Sequence, residues 1–153
     1  MNSIKTNLYI SPIPSNEIGN VLPVERQDII DKTTNFSLKR QRYYVWKLLE
    51  YALKHSYDLD INEISFMVDN NGKWHCDDCF FSLSHCDETV AVAVSKRPVG
   101  VDIENLKPFP KFCYTIGMIP SSYKESLTYE EQLIWLCNFL EKEVIPVVNN
   151  NSE

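Results

Sequence analysis

The chain has 153 residues, of which 44% are hydrophobic and 24% charged, and it carries a formal net charge of −6. Length and balance fit one globular domain able to bury a core, with approximate halves at 1–97 and 98–153. The acidic surplus argues against a general nucleic-acid or anionic-membrane binder, so any phosphate site has to be a local cluster of lysine and arginine.

Residues 1–24 are punctuated by Pro12, Pro14 and Pro23 and read as extended chain with turns. No apolar run there has the length of a secretory signal, and none later is long enough to span a membrane. The five cysteines are irregularly spaced and do not read as a disulfide framework, so a cytoplasmic location is expected. Residues 24–56 have helical spacing, with Tyr44, Leu48, Leu49, Ala52 and Leu53 on one apolar stripe. Lys39, Arg40, Arg42 and Lys47 lie along or near it. Residues 61–68 alternate as a strand, and Asn70-Asn71-Gly72 supplies residues that tolerate positive φ in a tight turn. Strands are expected at 80–83, 89–95 and 99–103. Helical spacing returns over 128–144, with Trp135 and Phe139 on or beside one face, until Pro146 stops it. Helix, antiparallel strands and a last helix make an α+β domain.

Chemistry concentrates in residues 81–108. Asp102 and Glu104 stand two apart in a strand pattern, so their carboxylates point to one face. Hard oxygen donors converging in this way suit magnesium, which fills its remaining positions with water and substrate phosphate. Glu143 is the candidate third carboxylate. Such a pair is more often a solvated face, but here it has company. Gly100 interrupts a valine-rich run, a sign of close backbone approach, and Ser84-His85 lies just upstream.

The stretch reads Phe81-Ser82-Leu83-Ser84-His85-Cys86, then Ala93-Val94-Ser95, then Pro98-Val99-Gly100-Val101-Asp102-Ile103-Glu104. This succession resembles the signature of the 4'-phosphopantetheinyl transferase superfamily: F-N-x-S-H-S, a hydrophobic strand ending A-V-S, and P-V-G-x-D-I-E. Phe139 followed by Lys142-Glu143 is similar to the family's second block, Gly72-Lys73 to its Gly-Lys-Pro element, and Arg42 falls near its coenzyme A arginine. The resemblance implies a family-like α+β fold, an antiparallel sheet with long packed helices, its second half curtailed. It also implies transfer of the 4'-phosphopantetheine arm from coenzyme A to a serine of an acyl or peptidyl carrier protein, with Mg²⁺ (or Mn²⁺) as cofactor. Asp102, Glu104 and Glu143 would then hold the metal. His85 and Lys73, with Ser84 in the same signature, would meet coenzyme A phosphates, and Arg42 the 3'-phosphate. Lys142 would lie close to the pyrophosphate, and Glu143 or a metal-bound water would take the serine proton.

Three positions depart from the family pattern. Ser82 replaces an asparagine, with the expected loss of one side-chain hydrogen bond. Trp74 replaces the proline after Gly-Lys, and Val147 stands where a lysine usually follows. A member that binds coenzyme A or a carrier protein without turnover is the alternative reading. Short members complete the site between subunits, so a homo-oligomer packing through Trp135, Phe139 and Val144 is expected, with no nucleic-acid or membrane partner.

Other constellations are weaker. His75-Cys76-x-x-Cys79 with His85-Cys86 has a zinc-like outline, but adjacent residues on a strand face opposite ways. The plainer reading of Cys76 and Cys79 is two thiols near a turn, one of them half-buried. Ser84 and His85 are no hydrolase pair for the same geometric reason. Tyr43, Tyr44, Trp46 and Tyr51 read as core and helix packing.

Overall fold

The computed structural model describes residues 5–105. Within them lie strand β1 (Thr6–Pro12), helices α1 (Val24–Asp31) and α2 (Phe36–Tyr57), a 3₁₀ turn (Ile61–Glu63), and strands β2 (Met67–Val68), β3 (Trp74–His75), β4 (Phe80–Cys86) and β5 (Thr89–Ser95). The architecture is α+β with antiparallel sheets. The helix expected over 128–144, with Trp135, Phe139, Lys142, Glu143 and Val144, lies outside the described residues.

β5 explains why the sheet forms where it does. Its TVAVAVS run has no residue that resists extension, and it sits centrally in the order β1-β5-β4. Val90, Val92 and Val94 point to one face and are almost completely buried, joining Val45, Trp46, Leu49, Ala52 and Leu53 of α2 in one apolar cluster. Branched side chains on a pleated surface pack well against a helix, which is the physical basis of this layer. Ala91, Ala93 and Ser95 occupy the other face, also buried. Both neighbours pair antiparallel to β5, with Leu8 and Ser82 opposite Ala93, and Ile10 and Ser84 opposite Ala91. β1 is tied to the end of α2 as well, since Asn7 Nδ2 donates to Ser56 Oγ (2.9 Å) and the Tyr9 and Ser56 hydroxyls share a hydrogen bond (2.8 Å).

Trp46 is the centre of the helix–sheet layer. It is fully buried, lies 5.0 Å from Phe66 and 5.1 Å from Trp74 between ring centroids, and donates its indole N–H to Leu22 O at 2.6 Å. Trp74, the residue standing where the family pattern has proline, is therefore a core residue. α2 starts at Asn35, whose side chain accepts from the Leu38 N–H (2.8 Å). It ends at Asp58, in the left-handed conformation (φ 55°) and paired with Lys54.

The structure corrects several expectations. Helical spacing over 24–56 resolves into two helices, because Asn35 captures an N–H of the next segment and starts a second one. The strand expected at 61–68 is a 3₁₀ turn followed by two paired residues, Asp60 capping the turn by accepting from Asn62 N–H. Asp69 closes the β2–β3 hairpin by accepting from Asn71 and Lys73 N–H groups, and Gly72 takes φ 78°. Residues 99–103 form no strand. β1, which the prolines mark only as extended chain, is a full edge strand.

Candidate functional site

Among the described residues β4 is an edge strand, and consecutive residues on it face opposite ways. His85, opposite Val90, therefore points toward α2, while Ser84, opposite Ala91, points to the other face. The expected site residues divide accordingly.

On the helical side is a cleft of about 410 Å³ whose lining includes Arg26, Arg42, Lys73, Trp74 and His85. Arg42, Lys73 and His85 are expected from the sequence, and the structure brings them together from α2, the β2–β3 hairpin and β4. Sequence reasoning misses Arg26. It sits in a short helix next to Glu25 and looks like an ordinary surface arginine, so no local signal could have found it. Yet Arg26 is only 7% exposed. Its Nη2 donates to Arg42 O (2.8 Å), its guanidinium carbon lies 4.9 Å from the Trp46 ring centroid, and its Nε is buried with no hydrogen-bond partner. Burial, and next the Arg42 charge, lower its pKa to about 10, so it stays charged at neutral pH. Arg42 Nη1 donates to Thr33 Oγ1 (2.7 Å), which directs it toward the connection between α1 and α2. Among the described residues no carboxylate forms an ion pair with Arg26 or Arg42, while Lys73 lies within electrostatic reach of Asp69. Two guanidinium groups crowded into a concave, partly dry site are costly unless an anion completes them.

His85 shares that field. Its Nδ1 lies 2.7 Å from Gln41 Oε1, and the Gln41 amide nitrogen is turned to Ser37 Oγ (3.2 Å). A carbonyl oxygen only accepts, so Nδ1 carries the proton and Nε2 is the free ring nitrogen. Burial, followed by the charges of Arg26 and Arg42, lowers the His85 pKa below the ordinary imidazole value.

On the other face the carboxylate segment runs beside β4. Ser82 Oγ accepts from Val101 N–H (3.1 Å), and Ser84 Oγ accepts from Ile103 N–H (3.0 Å) while donating to Asp102 Oδ1 (3.0 Å). Two serine hydroxyls thus replace the ladder that a strand at 99–103 would have made. Ser82 retains a side-chain hydrogen bond at the position where a loss is expected. Asp102 is oriented through one oxygen, and Glu104 is exposed two residues on. Both carboxylates are near β4, since Glu104 is among the charges that raise the Cys86 pKa, after burial. Glu143 and Lys142 lie outside the described residues, and among the described residues no group of three metal-ligating side chains converges.

A second concavity, of about 520 Å³, adjoins the end of α2 and β1 and includes Lys5, His55 and Lys96. It is the larger of the two, but none of the expected residues lines it. The smaller cleft is the one that gathers the expected cations and holds the buried Arg26 guanidinium, whose Nε has no hydrogen-bond partner.

A cationic cleft and a carboxylate segment thus lie on opposite faces of one strand, the first suited to an anion and the second to hard-cation chemistry. Comparison with known proteins points the same way. The chain is 38% identical over 64 residues to a 4'-phosphopantetheinyl transferase of Bacillus subtilis, covering 40% of this chain and 29% of that protein. It is 36% identical over 64 residues to the 4'-phosphopantetheinyl transferase psf-1 of Bacillus pumilus, covering 40% and 28%. It is 36% identical over 74 residues to the 4'-phosphopantetheinyl transferase gsp of Aneurinibacillus migulanus, covering 48% and 27%. The match thus spans less than a third of each of these relatives. No family model matches the chain.

Proposed function

We propose that this chain binds coenzyme A and transfers its 4'-phosphopantetheine group to a serine of an acyl or peptidyl carrier protein. The observation that carries this reading is the set Arg26, Arg42, Lys73 and His85 around one cleft, the two arginines having no carboxylate partner among the described residues, beside a strand whose other face holds Asp102. The names of the three similar proteins support it. Arg42 and Arg26 bind the 3'-phosphate, with Lys73 at the mouth of the cleft. His85 receives a proton at Nε2 when an anion arrives and then donates to it. Ser84 orients Asp102 by donating to one oxygen and leaving the other open.

The donor chemistry fits Mg²⁺, since Asp102 and Glu104 are hard oxygen ligands and an oriented carboxylate is what such a cation needs. Glu143 is the third ligand in this reading, and Lys142 lies beside the pyrophosphate. When bound, the cation supplies neutralisation of charge developing on the phosphates.

Incubation of an apo carrier protein with this chain, coenzyme A and Mg²⁺ tests the proposal by mass spectrometry. The expected product is the carrier plus one phosphopantetheine group, lost in Asp102→Ala. Coenzyme A binding without any transfer would establish the non-catalytic alternative. Absence of both would overturn the reading.

A further inference from the structure

Cys76 and Cys79 bracket a bend at Asp77 and Asp78 between β3 and β4, and both are buried, at 9% and 5% exposure. The bend is stapled to the end of β5 by Lys96, which donates to Asp78 O (2.9 Å) while lying 4.4 Å from the Tyr57 ring centroid. Within it the Cys76 thiol donates to Cys79 O at 3.6 Å. A side-chain hydrogen bond from Cys79 favours the ionised form of Cys76. That contact, with further help from the Cys79 and Asp78 N–H groups, lowers the Cys76 pKa to about 6 against the opposing effect of burial. Cys79 is pushed the other way, by its contact with Cys76 and then by burial. Of the two, Cys76 is the one whose thiolate is favoured, and Cys79 the one that keeps its proton. Neither thiol has a catalytic or metal role in the proposed transfer, so the redox chemistry of this pair is independent of that reading.

We infer that Cys76 and Cys79 are a peroxide-oxidisable dithiol that closes to an intrachain disulfide across the 75–80 bend. The oxidant is hydrogen peroxide, small enough for thiols this buried. The Cys76 thiolate attacks one peroxide oxygen, the O–O bond breaks, and Cys76 sulfenic acid and hydroxide form. Cys79 then attacks the Cys76 sulfur, the S–O bond breaks, and its thiol proton leaves with the oxygen as water. Two thiols and one peroxide thus give one disulfide and two waters. The site adjoins the cationic cleft on both sides, because Trp74 and Phe81, each two residues from a cysteine, line it.

The test uses the reduced protein, exposed to hydrogen peroxide at several values between about pH 5 and pH 8, then alkylated, digested and weighed. The expected result is a Cys76–Cys79 link, lighter by two hydrogens and closed to alkylation, whose rate rises with pH and levels off above about pH 7. Cys86, whose thiol burial holds in its protonated form, should react at least about tenfold more slowly. In Cys79→Ser, Cys76 sulfenic acid should persist and be trapped by dimedone. Should that variant fail to fold, the wild-type mass alone decides. Cys86 oxidising first, or Cys76 running on to sulfinic acid with no link to Cys79, would overturn the inference.

Discussion

His85 illustrates how far neighbours set the state of one residue. In the free protein its charge is opposed by burial and by Arg26 and Arg42, so it is neutral at pH 7 with the proton on Nδ1. A native pKa below the unfolded value of about 6.5 means that acid favours the unfolded chain, and the group's stabilising contribution is lost as pH falls through its native pKa. An anion in the cleft reverses this balance, because it screens the two guanidinium groups and accepts from Nε2. Coenzyme A binding is therefore expected to take up a proton near pH 7, and affinity should fall as pH rises. Calorimetry in buffers of different ionisation enthalpy measures that uptake. His85→Gln should remove it while leaving binding measurable, and equal uptake in the two proteins would place His85 away from the phosphate. Trp46 sets a different residue-scale expectation. Its loss leaves a cavity under Trp74 and Phe66 and removes the ring beneath Arg26, so Trp46→Ala should cost about 3–5 kcal/mol in urea unfolding.

At the scale of elements, the decisive contacts are caps and tethers rather than apolar pattern. Asn35 separates α1 from α2 by accepting the Leu38 N–H. Asn35→Ala should lose about 1 kcal/mol of stability, while Asn35→Ser should recover most of it. Identical midpoints for all three proteins would show that the break at 32–35 has another cause. The same distinction governs what is legible in the sequence. β5 is legible because six of its seven residues are apolar or β-branched and no turn residue interrupts them. The α2 stripe is legible from its spacing, and Trp46 is core as expected, although the most buried positions also include Val45. The 99–103 segment misleads because valines alternate there as in a strand, while its backbone is held by Ser82 and Ser84 side chains. β1 is hidden by its closing Pro12, which an edge strand tolerates. Of the site, Arg42, Lys73 and His85 can be read from the sequence, whereas Arg26 depends on packing against Trp46 that no sequence window contains.

For the molecule as a whole, the arrangement turns on β4 serving two faces at once. Cations from α1, α2 and the hairpin address one side, and the Asp102 segment addresses the other. A net charge of −6 would repel a phosphate-rich ligand, so binding has to come from these local groups. Among the described residues the two sides share no hydrogen-bond partner: Arg42 is held by Thr33 and Asp102 by Ser84 and its own segment. Energetic independence follows, because changes at sites without common contacts add to within about 0.5 kcal/mol. Arg42→Ala should weaken coenzyme A binding by about 1.5–3 kcal/mol whether or not Mg²⁺ is present, being the loss of a charge-assisted contact. Asp102→Asn should remove only the gain in affinity that Mg²⁺ confers. In the double variant with Mg²⁺ the two losses should sum. Titration of the four proteins against coenzyme A, with and without Mg²⁺, completes the cycle. A coupling above about 1 kcal/mol would mean that both residues grip the same phosphate, and the two-sided site would have to be abandoned.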